Sequence, residues 1–143
     1  MNKEFIPYKQ AIALKKLGFD EPCFGRFYTK PKCKMFSVDE KGRHYQIKNT
    51  PKKLYTVGEY FVLNDDNAIT APTFSQAFRW FRDKKLSDGS VCRHGEADGG
   101  YSYRWDILHE YGVYEERHFK LGYKTYEEAE FACLKELIKI NNK

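Results

Sequence analysis

The sequence predicts an α+β domain, built as helix, strands, helix, three strands, helix, with an antiparallel β-sheet and three helices packed mainly on one face. Two observations carry this. Apolar residues recur at helical spacing near both ends of the chain and at its middle, and the intervals between hold short aromatic and β-branched runs parted by Gly, Pro, Asn and Asp. The length of 143 residues suits one domain with a real core, expected over 1–143, and a boundary, if there is one, falls near 64–71. With 41% hydrophobic and 17% aromatic residues the composition argues for a packed globule and not disorder, despite 31% charge.

The first helix is expected to open at Pro7, whose missing N–H costs nothing at a first helical position. Ala11, Ile12, Leu14 and Leu17 give it an apolar face, Gly18 supplies a left-handed stop, and Phe19 can fold back on the last turn. Strands are expected at Phe24–Tyr28, Met35–Val38, His44–Ile47 and Tyr55–Leu63, with a turn at Asn64–Asn67. Pro72 is expected to open the second helix, where Phe74, Ala77, Phe78 and Phe81 form a core-facing stripe and Trp80 lies off its centre. Ser87–Ser90 reads as a turn, followed by strands at Val91–His94, Tyr101–Leu108 and Tyr114–Lys120. In the last helix Thr125 is the cap and Glu128 is expected to return a bond to the cap's own N–H. Tyr126, Ala129, Cys133, Leu137 and Ile140 line one face, while Phe131 and Ile138 form a second strip with Leu134.

Charge is polarised. Residues 1–60 carry a net +7 and residues 61–143 a net −2, which together give the formal +5 of the chain. The segment Arg26–Lys53 concentrates it: nine Lys/Arg face only Asp39 and Glu40. Arg26, Lys30, Lys32, Lys34, Arg43, Lys48, Lys52 and Lys53 can neutralise several phosphates, and Tyr45, with Phe27, Tyr28 and Phe36, offers a ring for stacking where it faces outward. The plain alternative is that the aromatics are core and the lysines guard strand edges against aggregation. Phe131, Ile138, Glu127 and Glu128 make a second candidate surface for a partner.

Other chemistry has less behind it. Cys92, His94, His109 and His118 lie on neighbouring expected strands, which admits a metal-dependent nuclease as a lesser reading, but the chain lacks C-x-x-C, H-x-x-x-H and H-E-x-x-H. No G-x-S-x-G elbow is present, and the Gly99–Gly100 pair is not followed by the Lys-Ser/Thr of a phosphate loop. No catalytic residue, metal or cofactor is therefore expected. The four cysteines form no tight framework, and no apolar run reaches the eighteen or so residues of a membrane span, so a cytoplasmic protein with reduced thiols is expected. Cys133 reads as core.

The element order of residues 72–141 is that of a double-stranded-RNA-binding domain, and YEEAEFACLKELI at Tyr126–Ile138 resembles the last helix of such domains. That family places a basic cluster at this helix start, where this chain has Glu127 and Glu128, so RNA binding by the helix is not carried over. Three blocks, FIPYKQAIALKKLGFDEPCFG at 5–25, APTFSQAFRWFRDK at 71–84 and YKTYEEAEFACLKELIKI at 123–140, resemble small proteins carried by phages and mobile elements of Bacteroidetes-type bacteria. The resemblance brings no catalytic residues. It implies a non-enzymatic binding protein that modulates a host nucleic-acid machine, in the manner of counter-defence proteins such as anti-CRISPR inhibitors. The expected partner is a host ribonucleoprotein or nucleic-acid enzyme, with direct RNA contact open. The alternative is an autonomous RNA- or DNA-binding accessory protein.

Overall fold

The computed structural model describes residues 3–29, 34–38, 40–48, 51–56, 68–94, 99–108 and 114–143, with 34–38, 44–48 and 114–117 described in backbone only. The protein is α+β, and the chain forms two compact units, Phe5–Thr73 and Phe74–Lys143 with Met1–Glu4. The division falls just beyond the 64–71 stretch. Among the described residues the strands form three antiparallel sheets. Among the described residues, no helix is long and apolar enough to cross a membrane.

The first unit begins with α1 (Tyr8–Lys16). Pro7 is its N-cap and not its first residue: ψ of 158° keeps Pro7 extended, and its carbonyl accepts from Gln10 and Ala11 N–H, both at 3.0 Å. At the other end Gly18 takes φ +96°. Its N–H donates to Lys15 O at 3.1 Å and Phe19 N–H donates to Leu14 O at 2.9 Å. That crossed pair closes the helix as the glycine foretells, with Leu14 and Phe19 both buried.

β1 (Gly25–Tyr28) is the middle strand of a sheet between β4 (Leu54–Thr56) and β5 (Ala68–Ala71), while β2 (Lys34–Val38) and β3 (His44–Lys48) pair with each other in a separate two-stranded ladder. Phe27 lies opposite Leu54 on one side and Ile69 on the other. Tyr8 packs edge-on against Phe27, and Tyr28 against Tyr55, each with ring centres 5.5 Å apart. β5 has no strand signal of its own in the sequence. Its four residues are too few to show a period, and pairing with β1 makes it a strand. Of the expected Tyr55–Leu63 strand, residues 57–63 lie outside the described residues.

The second unit runs α2 (Phe74–Lys85), β6 (Ser87–His94), β7 (Gly100–Leu108), β8 (Tyr114–Tyr123) and α3 (Tyr126–Asn141), with sheet order β6-β7-β8. α2 starts two residues after Pro72. Ala77 and Phe81 are buried as expected, but Trp80 is buried too, at 3% exposure. The expected turn at Ser87–Ser90 is instead the first half of β6. The reversal is compressed into Leu86, a non-glycine residue at φ +52°. Gly89 has another purpose: a Cβ there would lie 2.8 Å from Leu137 Cδ1, 2.9 Å from Cys133 Sγ and 3.2 Å from Phe78 Cδ1. It lets α2 and α3 close on the same face of the sheet.

α3 buries Ala129, Cys133, Leu134 and Leu137. Cys133 donates to Arg104 O at 3.7 Å, and burial pushes its thiol up to about 12. Asn141 donates to Ser87 Oγ at 3.1 Å and to Leu137 O at 2.8 Å, tying the helix end to the start of β6. Thr125 Oγ1 accepts from Glu128 N–H at 3.2 Å, the expected cap. The returning bond differs: Glu128 Oε2 accepts from Lys124 N–H at 3.1 Å, one residue before the cap.

Candidate nucleic-acid or partner interface

The basic segment of the sequence is divided by the fold. Arg26 sits in the middle of β1, between Tyr55 and Thr70 in register, and is half-buried there. Beyond Tyr28 the chain leaves the three-stranded sheet for the β2–β3 ladder and returns at Lys52, whose N–H donates to Tyr28 O at 2.9 Å. That bond ties the two ends of the excursion together. Lys52 holds φ +63°, and its ammonium lies 5.9 Å from the centre of the Tyr8 ring. The Lys53 ammonium lies 5.4 Å from the Tyr55 ring. Both lysines are exposed. The rings orient the two cations and leave them open to water.

Within the ladder the register sets Lys34 opposite Lys48 and Ser37 opposite Tyr45. Like charges at facing positions disfavour an antiparallel pairing in general, and an anion between them relieves that cost. Arg43 is exposed in the turn that joins the strands, next to exposed Lys41 and Glu40. It lies beyond the last rung, Val38 with His44. Four residue steps put that last rung about 13 Å from the lysine rung. The ladder thus carries positive charge at both ends, with Lys52 and Lys53 where the chain rejoins the sheet. Lys30 and Lys32 lie outside the described residues.

The second candidate surface is less open than its sequence suggests. Glu128 is engaged in the helix cap, and exposed Glu127 lies 3.9 Å from the Lys3 ammonium. Phe131 is half-buried with the Lys135 ammonium 4.8 Å above its ring, and Ile138 is half-buried.

Among the described residues Cys92, His94 and His118 are not brought together as metal ligands. Cys92 lies opposite Ser102, on the face of the sheet away from Gly89 and the helices, and His94 shares that face by alternation. His118 lies opposite Trp105, which is itself opposite Gly89, so it belongs to the helix-covered face. His118 stacks on the Trp105 ring at 3.9 Å and 12°. His94 Nε2 is 2.7 Å from Ser102 Oγ, and its ring meets Phe119 edge-on at 5.9 Å. Ser102 is fully buried, so that pair packs the sheet and offers no accessible nucleophile. His109 lies outside the described residues, and among the described residues no three His, Cys, Asp or Glu gather as metal ligands.

Sequence reasoning missed one feature of this sheet. Phe119 and Leu121 on β8 are 54% and 59% exposed. With His94, Tyr101 and Tyr123 they border an open cleft of about 430 Å³. The alternation Phe-Lys-Leu-Gly at 119–122 was the available signal, but it resembles the half-buried strands around it. Compared with protein-family models, curated proteins and solved structures, the chain matches none.

Proposed function

We propose that this chain is a non-enzymatic binding protein of phage or mobile-element origin that modulates a nucleic-acid machine of its bacterial host, in the manner of an anti-CRISPR inhibitor. The β2–β3 ladder is its contact arm. The supporting observation is the placement of charge: Lys34 and Lys48 share one rung, Arg43 closes the far end, and Lys52 and Lys53 stand exposed at the return. Such a ladder gains from an anionic partner what it loses to its own repulsion. The partner is a host ribonucleoprotein or nucleic-acid enzyme, and the contact is with its exposed nucleic acid or with acidic protein beside it.

The experiment is capture from host lysate by the tagged full chain, followed by identification of bound protein and nucleic acid. The triple reversal K34E/K48E/K52E is run in parallel with the native chain. Capture of a nucleic-acid enzyme by the native chain and its loss in the triple variant support the reading. Equal capture by both discards the arm. Tight binding to bare oligonucleotides, with affinity falling steeply as salt rises, makes the chain an autonomous nucleic-acid-binding protein instead.

A further inference from the structure

We propose that β8 is a self-pairing edge and that two copies of this chain associate antiparallel along it, extending the three-stranded sheet of each into one of six. Among the described residues β8 has β7 as its one sheet neighbour, and Phe119, Lys120, Leu121 and Gly122 are all exposed. An edge strand offers a row of backbone N–H and C=O groups, and a protein either blunts that edge or uses it.

The charge pattern of β8 points to use by its own copy. The strand reads Tyr114-Glu-Glu-Arg-His-Phe-Lys-Leu-Gly-Tyr123, with its acids in the first half and Lys120 in the second. An antiparallel pairing with His118 opposite its counterpart sets Glu116 opposite Lys120 of the second copy. Symmetry repeats that rung on the other side of the centre. All three positions share one face of the strand by alternation. Opposite charges at facing positions favour an antiparallel pair, and like charges disfavour it. Lys120 therefore discourages unrelated strands and is matched in this register, so that one residue supplies both protection and specificity. Phe119 and Leu121, each more than half exposed, lie in the same strand and lose water on pairing. This association involves a different surface from the basic arm and does not depend on it.

Sedimentation equilibrium of the full chain tests the proposal. The native chain is expected to approach twice the mass of one chain as concentration rises. K120E converts two opposite-charge rungs into two like-charge rungs and should weaken association at least about tenfold. E116K should act likewise, and the double reversal E116K/K120E should restore it. Circular dichroism of each variant verifies the fold, and Lys120 is exposed, so its reversal leaves the core untouched. A native chain that stays monomeric at its solubility limit overturns the proposal. So does a dimer indifferent to both single reversals, or a double reversal that fails to recover association. A monomer that instead takes up an extended peptide along β8 assigns the edge to another partner.

Discussion

The β6–β8 sheet and the β2–β3 ladder are both antiparallel and both short, yet they are built to opposite ends. The sheet has a face closed by two helices, with a glycine where the helices need room and a buried thiol bonded to a strand carbonyl. Among the described residues the ladder has two strands, and the register sets two lysines opposite each other at one rung. A two-stranded ladder is marginal in water without other support. Stability is therefore concentrated at the sheet and charge at the ladder. Substitutions at the first should change folding, and substitutions at the second should change binding.

The largest effect should come from the helix-covered face. Leu137→Ala removes a fully buried side chain that lies against the Gly89 position, and should cost about 2–5 kcal/mol by urea denaturation. Gly89→Ala tests the same contact from the sheet side. Its new methyl meets Leu137 and Cys133 below 3 Å, so a loss of about 1–3 kcal/mol is expected. An unchanged urea midpoint for Gly89→Ala would show that α3 does not press on the sheet there.

Alkaline pH separates the regions in another way. Burial raises the Cys133 thiol to about 12 from an ordinary 9.0, and burial also raises the Tyr103 hydroxyl. Between those limits the unfolded chain loses the thiol proton while the folded chain keeps it. The native state then binds more protons, so stability falls as pH rises through that window. Thermal melts from pH 8 upward should show the decline, and Cys133→Ala should flatten it relative to its own value at pH 8. At pH 8 a thiol reagent should label exposed Cys92 far faster than Cys133.

A smaller effect is expected at the start of α3, where Thr125→Ala removes the acceptor for Glu128 N–H and should cost about 1 kcal/mol. This cap was legible in the sequence, as was the Gly18 stop of α1, because each depends on residues within one turn of each other. What the sequence hid depends on partners far along the chain. Ser87–Ser90 has the composition of a turn, and only the packing of Leu137 and Cys133 against Gly89 explains its glycine. β5 is a strand through its pairing with β1. The His/Cys set is open in the sequence only as a lesser reading, and spacing alone does not reveal that His94 and His118 occupy opposite faces. The basic segment was plain from composition, but the lysine rung required the β2–β3 register.

That rung gives the smallest prediction in energy and the most discriminating one. Lys48→Glu replaces a like-charge rung with an opposite-charge one, so the ladder should gain about 0.2–1 kcal/mol. The same change removes a positive charge from the proposed contact arm and adds a negative one, so capture of the host partner should weaken. A residue kept for structure would show stability and binding moving together. Here they should move in opposite directions, with backbone amide exchange in Lys34–Val38 slowing while partner binding falls. Lys34→Glu should behave alike, and the exchanged pair K34E/K48E should return the repulsion without returning the binding. If binding instead tracks ladder stability through all three variants, the arm serves as a scaffold and its charge is not what the partner reads.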